Sequence, residues 1–313
     1  MAPLWLAGRD LGLWPMTMRA PVLLALLGVY LIWGSTYLAM RFAIESIPPL
    51  LMGGVRYVCA GALIFVALRL RGQPAPTVRQ WRDAGVVGVL LLLGGNGMVG
   101  LAMEQGVGSG VSALTVAVTP LFALGFGYLW GQSAHGREWL GILLGLAGVG
   151  ILNLGHELSA TPLGAGLLVM AALSWAFGSM WGKHLQMPAG FMASAAQMLI
   201  GGSAMLLVAL LRGEAMQGPP SAKALWSLAY LVFIGAILGF SAYVYLLKTV
   251  RPALATSYAY VNPVVAVALG VWLGGEAVDA AELAGLAVIL AGVVLVYLPR
   301  SDESLRQKGE LQA

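Results

Sequence analysis

Thr115-Val-Ala-Val-Thr-Pro120 and Tyr258-Ala-Tyr-Val-Asn-Pro263 stand 143 positions apart and share one plan: an apolar or aromatic run, a side chain able to hydrogen-bond, then proline. The match extends both ways along the chain. At a spacing of 142, Trp33 matches Trp175 and Arg41 matches Lys183; at 141, Gly61 matches Gly202 and Arg71-Gly72 matches Arg212-Gly213. Gly131 matches Gly274 at 143, and Gly141, Gly148 and Leu154 match Gly285, Gly292 and Leu298 at 144. A drift of single residues is what small loop differences produce, so the chain reads as a tandem duplication.

Composition decides where such a chain lives. Of 313 residues, 59% are hydrophobic and 10% charged, and 43 are glycine, with a mean hydropathy of +0.86. A soluble surface needs roughly a quarter of the residues charged, whereas membrane helices tolerate glycine and pack through it. Ten segments reach the length of about 20 residues that a bilayer span requires: 21–41, 49–69, 83–104, 110–130, 137–155, 162–183, 189–211, 224–247, 252–274 and 280–298. The expected fold is an all-α integral membrane protein with repeats over 22–155 and 162–298 and a polar tail at 299–313. Five is odd, so the two halves are inverted with respect to each other. In transporters this device places a substrate site at mid-membrane between the halves; the alternative is a duplicated bundle with no transport role.

Thirteen of the seventeen Lys and Arg fall on one side, against Arg41, Arg212 and Lys223 on the other. By the positive-inside rule both termini are cytoplasmic. The same distribution explains the pI near 9.3 without nucleic acid, which would need basic side chains clustered on a soluble face. Cys59 stands alone, so no disulfide framework exists. The first apolar stretch is too long for a signal core and reads as a retained helix.

Trp33-Gly-Ser-Thr36, Pro49, Arg56-Tyr57, Thr119-Pro120, Asn262-Pro263 and Gly275-Glu276 followed by Gly285 and Gly292 carry a family resemblance. The chain resembles the drug/metabolite transporter superfamily in its branch with two EamA domains, over about residues 22–298. It departs from the pattern at Gln132-Ser133, where the first half lacks the Gly-Glu of the second. Within the branch it is similar to bacterial amino-acid exporters, including aromatic exporters of the YddG type. The resemblance implies a cavity between helices 1, 3, 4, 6, 8 and 9, and export as the direction.

Several residues are candidates for lining that cavity. Pro120 and Pro263 each free a carbonyl one turn earlier, and Thr119 and Asn262 stand beside them. Such breaks point either to a binding site or to a packing kink. Helical spacing groups Thr115 with Thr119, and Tyr258 with Asn262, on one face each. Tyr30, Trp33 and Tyr37 make an aromatic stripe in helix 1; Trp175 and Ser179 hold corresponding positions in helix 6. Interfacial belts are the usual home of such rings, but Trp33 and Trp175 sit mid-segment. Asn96, among glycines, is a further mid-membrane polar group. Arg56 is a charge within the outer half of a span, to be explained either by pairing with Glu104, which ends helix 3 on the same side, or by snorkelling outward.

No Asp or Glu occupies the middle of a span, and no basic cluster suits sugar phosphates. The expected pocket is therefore polar, aromatic and nearly neutral, and fits a neutral or zwitterionic metabolite. Gly106-Val-Gly-Ser-Gly110 is a turn, lacking the strand and Lys of a nucleotide loop. His135, His156 and His184 lie in separate loops, so no metal or other cofactor is expected. The leading reading is a secondary transporter of the inner membrane, exporting small metabolites, most of all amino acids, as a monomer without nucleic-acid partners. Other readings are an exporter of nucleosides or organic cations, a channel, which needs a continuous polar lining, and an intramembrane enzyme, which needs HExxH or GxGD motifs absent here.

Overall fold

The computed structural model describes residues 16–131, 136–152, 154, 161–249 and 258–297. The tail at 299–313, Gln132-Ser133, His135, His156, residues 252–257 of the ninth segment, and Arg9, Arg251, Arg300, Arg306 and Lys308 of the charge count lie outside these. The described residues form ten helices and no strand. They are α1 Met16–Ile44, α2 Pro49–Leu70, α3 Val78–Glu104, α4 Ser109–Trp130, α5 Gly136–Leu152, α6 Pro162–Gly182 and α7 Phe191–Leu211, then α8 built of Ala222–Tyr230, Leu231–Leu238 and Gly239–Thr249, α9 Tyr258–Gly274 and α10 Ala280–Tyr297. Of these, α1–α4 and α6–α8 are long and apolar enough to cross a bilayer; α5, α9 and α10 contribute shorter apolar stretches. The protein is an all-helical integral membrane protein.

Helix α3 begins five residues before the apolar run, at Val78. Thr77 caps it: its hydroxyl accepts from Gln80 N at 3.3 Å, and the Gln80 side chain accepts from Thr77 N at 2.9 Å. This reciprocal cap satisfies two otherwise orphaned donors.

The two halves do not fold as separate bodies. The main partner of α2 is α7 and that of α5 is α10; α1 packs on α8 and α9, and α6 on α3 and α4. Every one of these pairs joins one half to the other, and each has its mirror in the repeat. Close approach needs missing side chains. A methyl group added to Gly88 in α3 would collide with the Gln197 carbonyl of α7. One added to Gly292 in α10 would lie 2.7 Å from the Gly141 carbonyl of α5. In lipid, such van der Waals fit is what drives helix association.

Two helices depart from α-helical winding at matching places. Val89–Gly97 of α3 and Leu231–Leu238 of α8 wind as π-helices, and their first residues are 142 positions apart. This duplicated irregularity had no counterpart in the sequence reading. The prolines, by contrast, behave differently from each other. At Pro120, α4 breaks into Ser109–Val116 and Thr119–Gly127, with a turn at Ala117-Val118. Pro263 lies inside α9, which is continuous from Tyr258. An interruption was expected at both; in α9 the helix absorbs the missing donor.

The packing makes a prediction. Gly88→Ala should lower the thermal midpoint of the purified protein, on the scale of about 1–3 kcal/mol for overpacking. Gly150→Ala, whose methyl group would meet nothing within 4 Å, should leave it unchanged. Equal midpoints for the two variants in a fluorescence melting assay would refute the close α3–α7 contact.

Candidate functional site

The π-wound segments and the broken α4 converge on one cavity. Its volume is about 210 Å³, and its lining comes from α1, α2, α3, α4, α6, α7, α8 and α9. Trp33, Tyr37, Asn96, Thr119, Trp175, Tyr258 and Asn262 line it, together with Pro120, Pro263 and Arg56. Thr115 and Ser179 do not. Thr115 is buried and its hydroxyl donates to Val111 O at 2.9 Å within its own helix. The break at Ala117-Val118 separates Thr115 from Thr119, so the expected common face does not exist. Residue Ser174 is the serine that matters in α6: its hydroxyl donates at 2.8 Å to Leu90 O, a carbonyl of the π-wound turn.

Trp33 plays the corresponding part for α8. Its Nε1 donates to Gly235 O at 3.2 Å, and the ring lies 4.8 Å edge-on to Tyr258 and 5.2 Å from Tyr243. Trp175 lies against Gly95 in α3, closely enough that a methyl group there would sit 2.7 Å from the indole. Each of the matched tryptophans is thus fitted to a wide-wound segment of the opposite half. Tyr30 packs instead with the Leu26, Val29 and Leu246 cluster.

Lining residues that the sequence reading passed over include Thr36, Tyr57, Met40, Phe240 and Gly235. Tyr57 adjoins Arg56 in the family motif, which was a usable signal. Gly235 lies in the π-wound segment and Phe240 just beyond it, and for that winding there was none. A larger groove of about 500 Å³ lies between Val55, Cys59 and Leu63 of α2 and Leu225 and Phe233 of α8. It is apolar throughout and offers no group to orient a metabolite.

Arg56 is 6% exposed, and its guanidinium lies 4.7 Å over the Tyr57 ring. It neither snorkels nor pairs with Glu104. Glu104 meets Arg212 at 3.3 Å at the rim, while Arg56 turns inward to the cavity. Depth along the membrane normal placed Arg56 and Glu104 on one side; it could not say which way each points.

One end of the bundle is stitched by charge. Glu276 receives Arg41 Nη1 at 2.5 Å, Ser109 Oγ at 2.6 Å, Ser109 N at 2.7 Å and Gly110 N at 2.9 Å. It therefore caps α4 from the α9–α10 connection, where the helix dipole favours an anion. Glu214 does the same for α2, accepting from Leu50 N at 3.1 Å and Leu51 N at 2.9 Å while holding Arg212 at 2.8 Å. Lys223 meets Glu45 at 2.6 Å on the same face. Among the described residues no group of three His, Cys, Asp or Glu side chains could hold a metal.

A duplicated five-helix repeat closed around a polar and aromatic cavity is a plan of membrane transporters. The EamA-like transporter family matches residues 20–154 and again 162–298, and the chain belongs to that family. It is 47% identical over 278 residues to the "Uncharacterized inner membrane transporter YedA" of Escherichia coli (strain K12), covering 89% of this chain and 91% of that one. It is 28% identical over 287 residues to the "Probable amino-acid metabolite efflux pump" of Salmonella typhimurium, covering 87% and 93%. A solved crystal structure with 20% identity superposes at a TM-score of 0.62, covering 88% of this chain and 97% of that chain, and supports the fold.

Burial pushes the Glu276 carboxyl upward, but the Ser109 hydroxyl, the Gly110 and Ser109 amides and the Arg41 charge together hold it below the usual carboxylate range. A depressed value contributes stability above the unfolded value of about 4.3, lost as pH falls through the folded one. The difference in thermal midpoint between wild type and Glu276→Gln should therefore stay constant from pH 8 to pH 6 and close only in stronger acid. A difference that already closes between pH 7 and pH 6 would contradict this electrostatic account.

Proposed function

We propose that the chain is a secondary carrier of the bacterial inner membrane, with both termini cytoplasmic, that moves small zwitterionic metabolites, amino acids above all, outward by alternating access. The observation that carries this reading is the cavity. Its volume of about 210 Å³ falls below the roughly 300–1,000 Å³ of pockets for drug-sized ligands. Aromatic rings and a few polar groups line it, which suits one small amphipathic molecule. The relative named as an amino-acid metabolite efflux pump supports both substrate class and direction, and the relative named as an inner membrane transporter supports the location.

The packing shapes the mechanism. Rocking of residues 22–155 against 162–298 as two blocks would tear α1 from α8 and α9, and α6 from α3 and α4. The moving units in this reading are those mixed groups, α1 with α8 and α9 and α6 with α3 and α4. The pairs α2–α7 and α5–α10 serve as the frame. π-wound segments in α3 and α8 are natural hinges, because wide winding often marks a place where a helix can change register.

Counterflow into proteoliposomes preloaded with unlabelled amino acids tests the proposal. Labelled amino acids should accumulate transiently, while a nucleoside, choline and a sugar phosphate should not. Trp33→Ala, Trp175→Ala and Asn262→Ala should each lower the rate by at least about tenfold, the equivalent of about 1.4 kcal/mol, without loss of membrane insertion. Normal transport by all three variants would show that the cavity is not the route.

A further inference from the structure

We infer that Arg56 is the carboxylate anchor of the substrate site and that Asn262 receives the substrate's ammonium group. This rests on the carrier reading above and specifies the chemistry of its ligand.

Arg56 carries an uncompensated charge. A guanidinium is charged at any physiological pH, and burying it without a partner is costly. Arg56 is buried, its Nε has no hydrogen-bond partner, and its guanidinium lines the cavity beside Gly235. Among the described residues the carboxylates near helix ends are taken: Glu276 by Arg41, Glu104 and Glu214 by Arg212, Glu45 by Lys223, and Asp83 by Arg82. None pairs with Arg56. Among the described residues its one charge-specific contact is the Tyr57 ring face, which orients a guanidinium without neutralising it. The missing partner is an anion, and the planar fork of donors matches a carboxylate with two parallel hydrogen bonds.

A second orphan has the opposite need. Asn262 Oδ1 is buried in the same cavity with no donor to it. It lies one turn from Tyr258, whose ring meets Trp33 at 4.8 Å. An acceptor oxygen close to aromatic faces suits an ammonium group, through a hydrogen bond and cation–π attraction. A buried donor fork and a buried acceptor in one small cavity describe the two ends of an α-amino acid. The cavity is thus not neutral, as its lack of carboxylates suggested from sequence. The second half carries Gln197 where the first has Arg56, so the site has one cationic end and fixes the substrate's orientation.

The test compares an amino acid that shows counterflow with its amide, its decarboxylated amine and its deaminated hydroxy acid as competitors. In wild type, the amide and the amine should compete about ten- to a hundredfold more weakly than the parent, the range expected for a lost charged hydrogen bond. Arg56→Gln should erase that discrimination and raise KM, and Arg56→Lys should keep part of it. Asn262→Ala should instead narrow the gap between the amino acid and its hydroxy acid. Equal competition by amide, amine and amino acid in wild type, which needs no variant to fold, would overturn the inference. If no amino acid exchanges but hydroxy acids do so in an Arg56-dependent way, the anchor stands and the substrate class falls. If ligands without an anionic group are the only ones to stabilise or exchange through the wild-type protein, the anchor itself falls.

Discussion

Backbone contact between helices of opposite halves is the constraint from which the rest of this structure follows. In water a duplicated protein can bury each half's apolar surface separately and then dock the two. In lipid that gain disappears, because acyl chains are as apolar as the helices, and only close fit and polar contacts hold helices together. The chain meets this by placing glycine where α3 meets α7 and where α5 meets α10. Each half thus supplies packing surface for the helices of the other.

Interdigitation also creates the cavity. Helices α1 and α6, the matched first members of the halves, each lean on two helices of the other half across the pseudo-twofold axis. Their tryptophans meet the π-wound turns of α8 and α3. An α-helix at those places would close its own hydrogen bonds and pack smoothly. Wide winding instead turns the Gly235 and Leu90 carbonyls to Trp33 and Ser174 and leaves space along the axis. Buried polar groups that stay satisfied by the protein hold that space open; those that do not, on Arg56 and Asn262, give it a chemical preference.

Much of this was legible in the sequence, and the failures have definite causes. Hydropathy and the repeat identified ten spans, because length and duplication are properties of the chain alone. Mid-segment position picked out Trp33, Trp175, Asn96 and Asn262 as cavity residues, because depth follows from sequence spacing. Direction around a helix axis does not. Thr115 was placed with Thr119 by assuming unbroken α-helical spacing, which Ala117-Val118 interrupts. Glu104 was placed with Arg56 by depth, whereas Arg212, in the second half, is its lateral neighbour. The π-wound segments escaped notice since their residues, leucines and glycines, are also ordinary helix-packing residues in membranes.

The symmetry of the backbone makes the asymmetry of the charges informative. Arg41 and Glu276 tie α1 to the α9–α10 connection and the start of α4. The repeat puts Lys183 at the place of Arg41 and Ser133 at that of Glu276. A serine hydroxyl can accept a hydrogen bond but carries no charge, and Lys183 rests 3.5 Å from Met180 Sδ. Two ends built on one backbone plan therefore differ in the side chains that hold them. At the Arg41 end the Glu276 carboxyl, held below the usual carboxylate range by Ser109, Gly110 and Arg41, stays ionised across the physiological range. The opposite end is tied differently, by Asp83, which pairs with Arg82 at 2.8 Å and accepts from Gln186 N at 3.0 Å in the α6–α7 connection. The asymmetry between the two ends is thus written in a few side chains rather than in the fold.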